Sequence, residues 1–408
     1  MGGKSLKSTR PKVGLLIHHP VYHYCVIIIG PGPHHNRCMK TSRRPRLIIL
    51  LLVITTLLVV FRPGIGFVSA NDTGKAPDSA LPVQVQVVTC DNTCVEPEPA
   101  ESSSPAGVTP PQAIMSEPEP LISGSLADND KQWALNKIGI YDLWQATTGS
   151  QEVLVAVLDT GIDSSHEDLD GQVVAEANFT DSPTPGDVHG HGTHIAGIIA
   201  AKNNDIGIIG MAPDSRLLNA KVADDMGRCH ASALAEGIVW AVDNGASVIN
   251  ISVEIRGDSP ELEKAIDYAW SEGSLVIGAA GNDGNDSPVY PAGYDNCIAV
   301  AATNQDDGLA VLSNHGDWVD VAAPGFGIYS TLPDDGYGLK TGTSFACAYV
   351  SGMAALLFDI VVDTNGDGRL NDEVRAAIEA GCQAIDIAGV GSGRIDAAGA
   401  VAQVCNIS

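Results

Sequence analysis

Ser344 lies within Leu339–Leu357, LKTGTSFACAYVSGMAALL. There a small Gly-bracketed turn leads into Ala, Val, Met and Leu with the length and composition of a buried helix. A serine at a helix mouth sits beside unpaired backbone N–H groups and partial positive charge. It can be a nucleophile whose neighbouring oxygen gathers negative charge, or it can simply cap the helix. The distinction turns on whether a base and a carboxylate exist elsewhere. Asp159 ends an apolar run in VLVAVLDTGID, where a carboxylate can orient a base, cap a helix or close a turn. His191, within HGHGTHIAGIIA, stands at the entrance of another helix and can take a proton from a hydroxyl. With His189 and His194 it also forms a histidine cluster, a weak zinc pattern without an evident carboxylate ligand. Asn282, in VIGAAGNDG, can donate its amide to a developing oxyanion or serve a left-handed turn. Asp-Thr-Gly also marks aspartic proteases, which need two such carboxylates. The only second copy, Asp72-Thr73-Gly74, falls in a segment without core-forming composition.

The elements that must position these groups follow from apolar runs. Candidate strands are 153–158, 173–178, 216–221, 248–253, 275–279, 298–301 and 319–322. Between and after them lie candidate helices 192–201, 231–244, 260–272 and 343–358. Near-continuous apolar strands alternating with helices predict an α/β fold, a mostly parallel sheet with helices on both faces. Such sheets carry their sites at the carboxyl ends of the strands.

The bulk numbers narrow the function. Residues 1–70 hold ten Lys and Arg and no acid, leaving 13 basic against 49 acidic residues after Ala70. An anionic body argues against nucleic acid as a partner and fits calcium, salt or solubility. Arg43–Arg46 precede an apolar run, Leu47–Phe61, and small residues at Val68-Ser69-Ala70. This is the three-part pattern of a secretory signal, and the run is short for a membrane span of roughly 20 residues. Residues 1–70 are therefore read as an N-terminal extension and signal peptide, with Met39 as a possible start. The expected product is secreted, or membrane-anchored if the signal stays uncleaved. Residues 71–128 are acidic and rich in Pro and Ser, a linker or propeptide in which only LPVQVQVVT looks strand-like. The catalytic domain is expected over 129–408. In an exported chain disulfides are expected, and Cys382 with Cys405 is the favoured pair.

Taken together, the stretches around Asp159, His191, Asn282 and Ser344 resemble the subtilisin-like serine proteases, in that family's order of Asp, His and Ser. The resemblance runs from WALNKIGIYDLWQATTGS to GSGRIDAAGAV. It implies a three-layer fold and a serine endopeptidase acting on protein or peptide substrates through an acyl-enzyme, expected to be a monomer. By the same resemblance Ser344 is the nucleophile, His191 the general base and then acid, and Asp159 the orienting carboxylate. Asn282 and the Ser344 N–H then form the oxyanion hole, and His189 and His194 are structural. Ser252, Val253, Glu254 and Gly281 would bind substrate, with Val289-Tyr290-Pro291 lining the pocket floor. Asp168, Lys202, Asn204, Ile206 and Ile208 match the family's strong structural calcium site.

The match has departures. Ser344-Phe345-Ala346-Cys347-Ala348-Tyr349 lacks the usual proline and histidine, and Cys347 is expected to confer sensitivity to mercurials. Ser252-Val253-Glu254-Ile255 replaces both glycines of the usual substrate strand, so Glu254 predicts a cation-favouring subsite. Residues 71–127 do not resemble the family's compact inhibitory propeptides. The altered strand keeps a second function open, a catalytically silent binding protein on the same fold. Separately, DTNGDGRLNDEV (363–374) fits a calcium-loop pattern at Asp363, Asn365, Asp367, Gly368 and Asn371, but has Val374 at the twelfth position. It reads as a weak calcium site or as a turn before a helix capped by Asn371.

Overall fold

The fold is seen in a computed structural model, which describes residues 131–407 and three short strands nearer the N-terminus. Those strands, β1 (Val13–Leu15), β2 (Ile27–Ile28) and β3 (Val85–Val87), form a small sheet in the order β2-β1-β3. They belong to a unit of their own, Met1–Pro111. The strand-like stretch 81–89 thus contains a strand. The signal at 43–70 lies outside the described residues.

In the second unit, α1 (Trp133–Ile138) and α2 (Ile140–Leu143) precede β4 (Leu154–Asp159) and β5 (Val173–Asn178). Then come α3 (His191–Ala200), β6 (Arg216–Lys221), α4 (Ala231–Asp243), β7 (Ala246–Ile251), α5 (Pro260–Ser271) and β8 (Leu275–Ala279). The chain continues through β9 (Cys297–Thr303), β10 (Val321–Pro324), β11 (Ile328–Leu332) and β12 (Gly336–Lys340). It closes with α6 (Thr343–Ile360), α7 (Asn371–Ala380) and α8 (Ala397–Ile407).

Seven strands make one parallel sheet in the order β10-β9-β8-β7-β4-β6-β5. The order reverses at β4, which pairs with β6 on one side and β7 on the other. At such a switch point the loops leaving the strand ends diverge and open a crevice. The strands carry few polar residues because helices cover both faces; every residue of β8, β9 and β10 is buried.

Helix α6 is buried from Thr343 through Leu357, so it is apolar all round rather than striped. Among the described residues it alone is long and apolar enough to cross a membrane, yet it is the central helix of the core. Each fully buried aliphatic side chain here, such as Leu356, contributes about 1.5–3 kcal/mol. Helix α3 packs against it, and Gly192 explains how closely that helix enters. A Cβ at Gly192 would stand 2.1 Å from the Gly161 carbonyl oxygen, so no larger residue fits without moving the loop that follows β4.

Three expectations shift. Residues 252 and 253, predicted as strand, leave the sheet after Ile251 so that Ile255 can pair with Tyr290. The predicted strand at 319–322 starts later, because the Asp320 carboxylate accepts the Ala299 N–H and an Arg375 N–H instead of extending the ladder. Helix α7 is not capped by Asn371; Leu370 precedes it, and the Asn371 amide donates to the Trp270 carbonyl. The β11–β12 hairpin was not anticipated. Its strands, IYSTL and GYGLK, hold no apolar run, and its turn, Pro333-Asp334-Asp335, places both aspartates at positive φ.

Candidate active site

Asp159 is the last residue of β4 and has no exposed surface. Its Oδ1 accepts the Thr160 N–H at 2.7 Å and lies 2.7 Å from His191 Nδ1; Oδ2 has no partner among the described residues. Burial pushes the carboxyl up, but the adjacent imidazole charge and the bonds from His191 and Thr160 outweigh it and hold Asp159 below its ordinary value.

His191 opens α3, whose first turn needs acceptors for its free N–H groups. Gly190 stands at the cap and has no side chain, so buried Asp187 does the capping from a distance. Its carboxylate accepts from Gly190 N at 2.8 Å, Thr193 N at 2.9 Å and Thr193 Oγ1 at 2.7 Å. Thr160 Oγ1 donates to Asp187 and accepts the Gly192 N–H, tying β4 directly to α3. The hairpin holds the same turn from the other side. Ser330 and Thr331 hydroxyls donate to the His194 and Thr193 carbonyls, and Lys340 Nζ to the Gly190 carbonyl. Sequence reasoning missed Asp187, Thr160 and this hairpin; an Asp four residues before a helix-opening His was the available signal.

The three histidines serve different partners. His189 is exposed, while His194 is buried with Nε2 at 3.2 Å from the Gly338 carbonyl. Burial drives His194 down to about 3, so its ring is neutral. Below the ordinary histidine value the unfolded chain therefore binds a proton that the folded chain refuses, and stability rises with pH across that window. We expect stability to fall by up to about 4 kcal/mol between pH 6.5 and 3 from this residue, and His194→Gln to flatten the slope. Urea unfolding at pH 7 and pH 4, in an inactive background, checks it; parallel slopes in both chains would refute it.

Ser344 begins the α6 helical run behind Thr343 and is 7% exposed. Its Oγ donates to the Ser252 carbonyl at 3.0 Å, and Ser252 Oγ donates back to the Ser344 carbonyl at 3.0 Å. The hydroxyl thus rests on the loop after β7, in the cleft that His191 also lines. Asn250 supports this arrangement from below, donating to Ser252 Oγ and accepting from Ser351 Oγ. Asn282 follows β8. Its Oδ1 accepts the Thr343 N–H at 2.9 Å and the Thr343 hydroxyl at 3.2 Å. The carbonyl end is thereby pinned to the helix start, and the Nδ2 end has no hydrogen bond among the described residues. Gly281, at φ 96°, makes the turn, and its N–H is held by Thr343 Oγ1 rather than facing the cleft.

His191, Ser252, Val253, Glu254, Asn282 and Ser344 line one cleft of about 270 Å³. Glu254 is half-buried. Burial and the nearby Asp283 push it up, while Arg256 and the Asn282 N–H work the other way. Arg256 pairs with Asp283 at 2.9 Å and stands 3.8 Å from Glu254. Val289 packs beneath Gly281 rather than on the cleft wall. Cys347, in α6 itself, is wholly buried, with Sγ donating to the Ile277 carbonyl, while Cys229 is the thiol that lines the cleft. Cys382 is a free thiol bonded to the Ile378 carbonyl; the Cys405 side chain lies outside the described residues.

Away from the cleft, Asp168 is buried with Oδ1 unpartnered, and its Oδ2 accepts from Ile208 N at 2.9 Å and the Tyr337 hydroxyl at 2.9 Å. Lys202 N donates to the Asp168 carbonyl at 2.9 Å, while Asn204 accepts from Ile206 N and donates to the Glu167 carbonyl. Hydrogen bonds from Lys202 and Ile208 thus tie the 202–208 loop to Asp168, whose Oδ1 has no donor among the described residues.

A buried carboxylate holding an imidazole, across a cleft from a helix-start serine beside a free amide, can perform acyl transfer. Comparison with known proteins agrees. The family model described as the subtilase family matches residues 150–379. A thermophilic serine proteinase of Bacillus sp. (strain AK1) is 42% identical over 303 residues, covering 71% of this chain and 73% of the relative. Thermitase of Thermoactinomyces vulgaris is 44% identical over 253 residues, covering 62% and 88%. The minor extracellular protease Epr of Bacillus subtilis (strain 168) is 40% identical over 233 residues, covering 57% and 36%.

Proposed function

The chain belongs to the subtilase family, a serine endopeptidase that hydrolyses peptide substrates, and we propose that Ser344, His191 and Asp159 carry that chemistry. The observation that carries the proposal is the 2.7 Å bond from His191 to the fully buried Asp159, on the cleft that Ser344 also lines. A serine hydroxyl is a weak nucleophile, so His191 removes its proton as Oγ attacks the scissile carbonyl. Asp159 fixes the tautomer that leaves Nε2 free and stabilises the imidazolium that forms. The oxyanion is held by the Asn282 amide and the Ser344 N–H, both rigid before substrate arrives because Thr343 pins the asparagine. His191 then protonates the departing amine, and water repeats the sequence to free the acyl group. A fluorophosphonate should label Ser344 and abolish hydrolysis; labelled enzyme that still cuts casein would overturn this assignment.

Substrate enters beside Ser252, Val253 and Glu254, with Gly281 shaping the turn that carries Asn282. The acyl residue's side chain starts one bond from the carbonyl that Asn282 and Ser344 hold, and Glu254 lies within reach of it. Glu254, Asp283 and Arg256 leave one net negative charge there, which favours Lys or Arg at that position. We expect Glu254→Gln to lower kcat/KM for basic residues about fivefold, the scale of one partly exposed ion pair, while sparing apolar ones. Profiling cut peptides by mass spectrometry decides it, and identical profiles would reject it.

Calcium belongs to the proposal as a structural ion. The unpartnered Asp168 Oδ1 supplies the fit, and Asn204 with the carbonyls of Lys202, Ile206 and Ile208 would complete the shell. The ion would supply stability by tying the 202–208 loop to the segment bearing Asp168. Export through the segment at 43–70 is supported by a relative named as extracellular, and release as a monomer completes the reading. The silent binding-protein alternative has only the altered substrate strand behind it.

A further inference from the structure

We infer that the loop joining α6 to α7 is a second calcium site, built from Asp363, Asn365, Asp367, the Arg369 carbonyl and the acids of the first α7 turn. The sequence places oxygen-bearing side chains at alternate positions 363, 365 and 367, with glycines at 366 and 368. The loop is wound accordingly. Asp363 accepts from Gly366 N at 2.6 Å and Gly368 N at 2.9 Å, Asn365 from Asp367 N at 2.7 Å, and Asp367 from Arg369 N at 2.8 Å. Gly366 and Gly368 both sit at positive φ.

That winding alone is a turn. What points to a cation is Glu373. It is 5% exposed, and its Oε1 accepts from Thr364 N at 2.7 Å and Thr364 Oγ1 at 2.8 Å, so its head group lies inside the loop. Its other oxygen, Oε2, is buried and has no donor. Asp372 repeats the pattern, with Oδ2 held by the Asn365 amide at 2.7 Å and Oδ1 buried without a partner. A buried carboxylate oxygen without a donor is costly, and two of them side by side repel. A divalent cation satisfies both at once.

This also accounts for the sequence's departure from the calcium-loop pattern. The twelfth position, Val374, is buried in the core, and the acid that belongs there stands one residue earlier. Among the described residues no three acidic or imidazole side chains yet converge at metal-ligand distance, so the ion draws Asp363 and Asp367 onto Glu373. The site shares no residue with the Asp168 loop and does not depend on the catalytic assignment. Its structural effect falls on the far end of the nucleophile helix, which the loop directly follows.

The test is calcium stoichiometry on the full chain, carried in an inactive Ser344→Ala background, stripped with chelator and equilibrated at about 1 mM free calcium, a range in which extracellular sites of this kind fill. Asp363→Asn/Asp367→Asn alters only exposed loop residues and should bind one calcium fewer per chain than the parent. Asp168→Asn should lose a different one, and the combined variant both. Calcium should also slow amide exchange at 363–370 about tenfold in the parent and not in the loop variant. Equal stoichiometry in parent and loop variant, or exchange at 363–370 indifferent to calcium, would overturn the site.

Discussion

Ser344→Ala should lower kcat on a chromogenic peptide by about a millionfold, the scale for loss of the serine in a subtilisin-type triad, and leave KM within a few-fold of the parent. The asymmetry is physical. The cleft wall formed by Ser252, Val253 and Glu254 is untouched, so ground-state binding survives. What disappears is the atom that bonds to the acyl carbon. The fold should survive as well. Ser344 contributes one side-chain hydrogen bond, to the Ser252 carbonyl, worth about 0.5–1.5 kcal/mol, and alanine suits the first turn of a helix. A residual rate about 10³–10⁴ above water should remain from the oxyanion donors and binding alone. Circular dichroism and a urea midpoint close to the parent's separate this outcome from misfolding. Undiminished hydrolysis by folded Ser344→Ala would mean that another group performs the chemistry.

Asp159→Asn should cost about 10⁴ in kcat with the imidazole still in place. The oxygen that accepts the Thr160 N–H is the one that faces His191 Nδ1, so the amide turns a single group to both. With its NH₂ there, His191 takes the tautomer with the proton on Nε2, where it cannot accept one from Ser344, and the Thr160 N–H loses its acceptor; with its oxygen there, both bonds stay but the charge is gone. The carboxylate's second contribution, stabilising the imidazolium, is lost too. The substitution also changes the response to acid. Asp159 is held below the ordinary carboxylate value, so the stability it contributes is fully present above that value. It is lost as pH falls through the lower, folded one. Asp159→Asn should therefore show a shallower acid-unfolding slope than the parent, measured by urea midpoints between pH 5 and 2. A kcat within tenfold of the parent would remove the orienting role from Asp159.

Both predictions depend on groups that were legible without coordinates. Asp159, His191, Asn282 and Ser344 each stand beside an apolar run ending in glycine or entering a helix, and their residue types allow few common chemistries. The parallel sheet was equally legible, because strands covered on both faces must be apolar along their whole length and helices must alternate with them. The β11–β12 hairpin was not legible in the same way. It is half-covered and its strands hold no apolar run, and its Ser330 and Thr331 serve the first turn of α3, more than 130 residues earlier.

The sequence by itself determined the chemistry available and the layered architecture, since side-chain type and hydrophobic period are local properties. Only the tertiary structure decided how the imidazole is held. Asp187 caps a helix whose own cap is glycine, Thr160 links that cap to the end of β4, and Lys221, buried, ties the Thr160 and Gly186 carbonyls together. It likewise decided that the serine rests on Ser252, and that Glu373 takes the place a pattern gives to residue 374. These are contacts between distant segments. They are fixed by which buried donor lacks an acceptor once the sheet has closed, and no local window of sequence contains both partners.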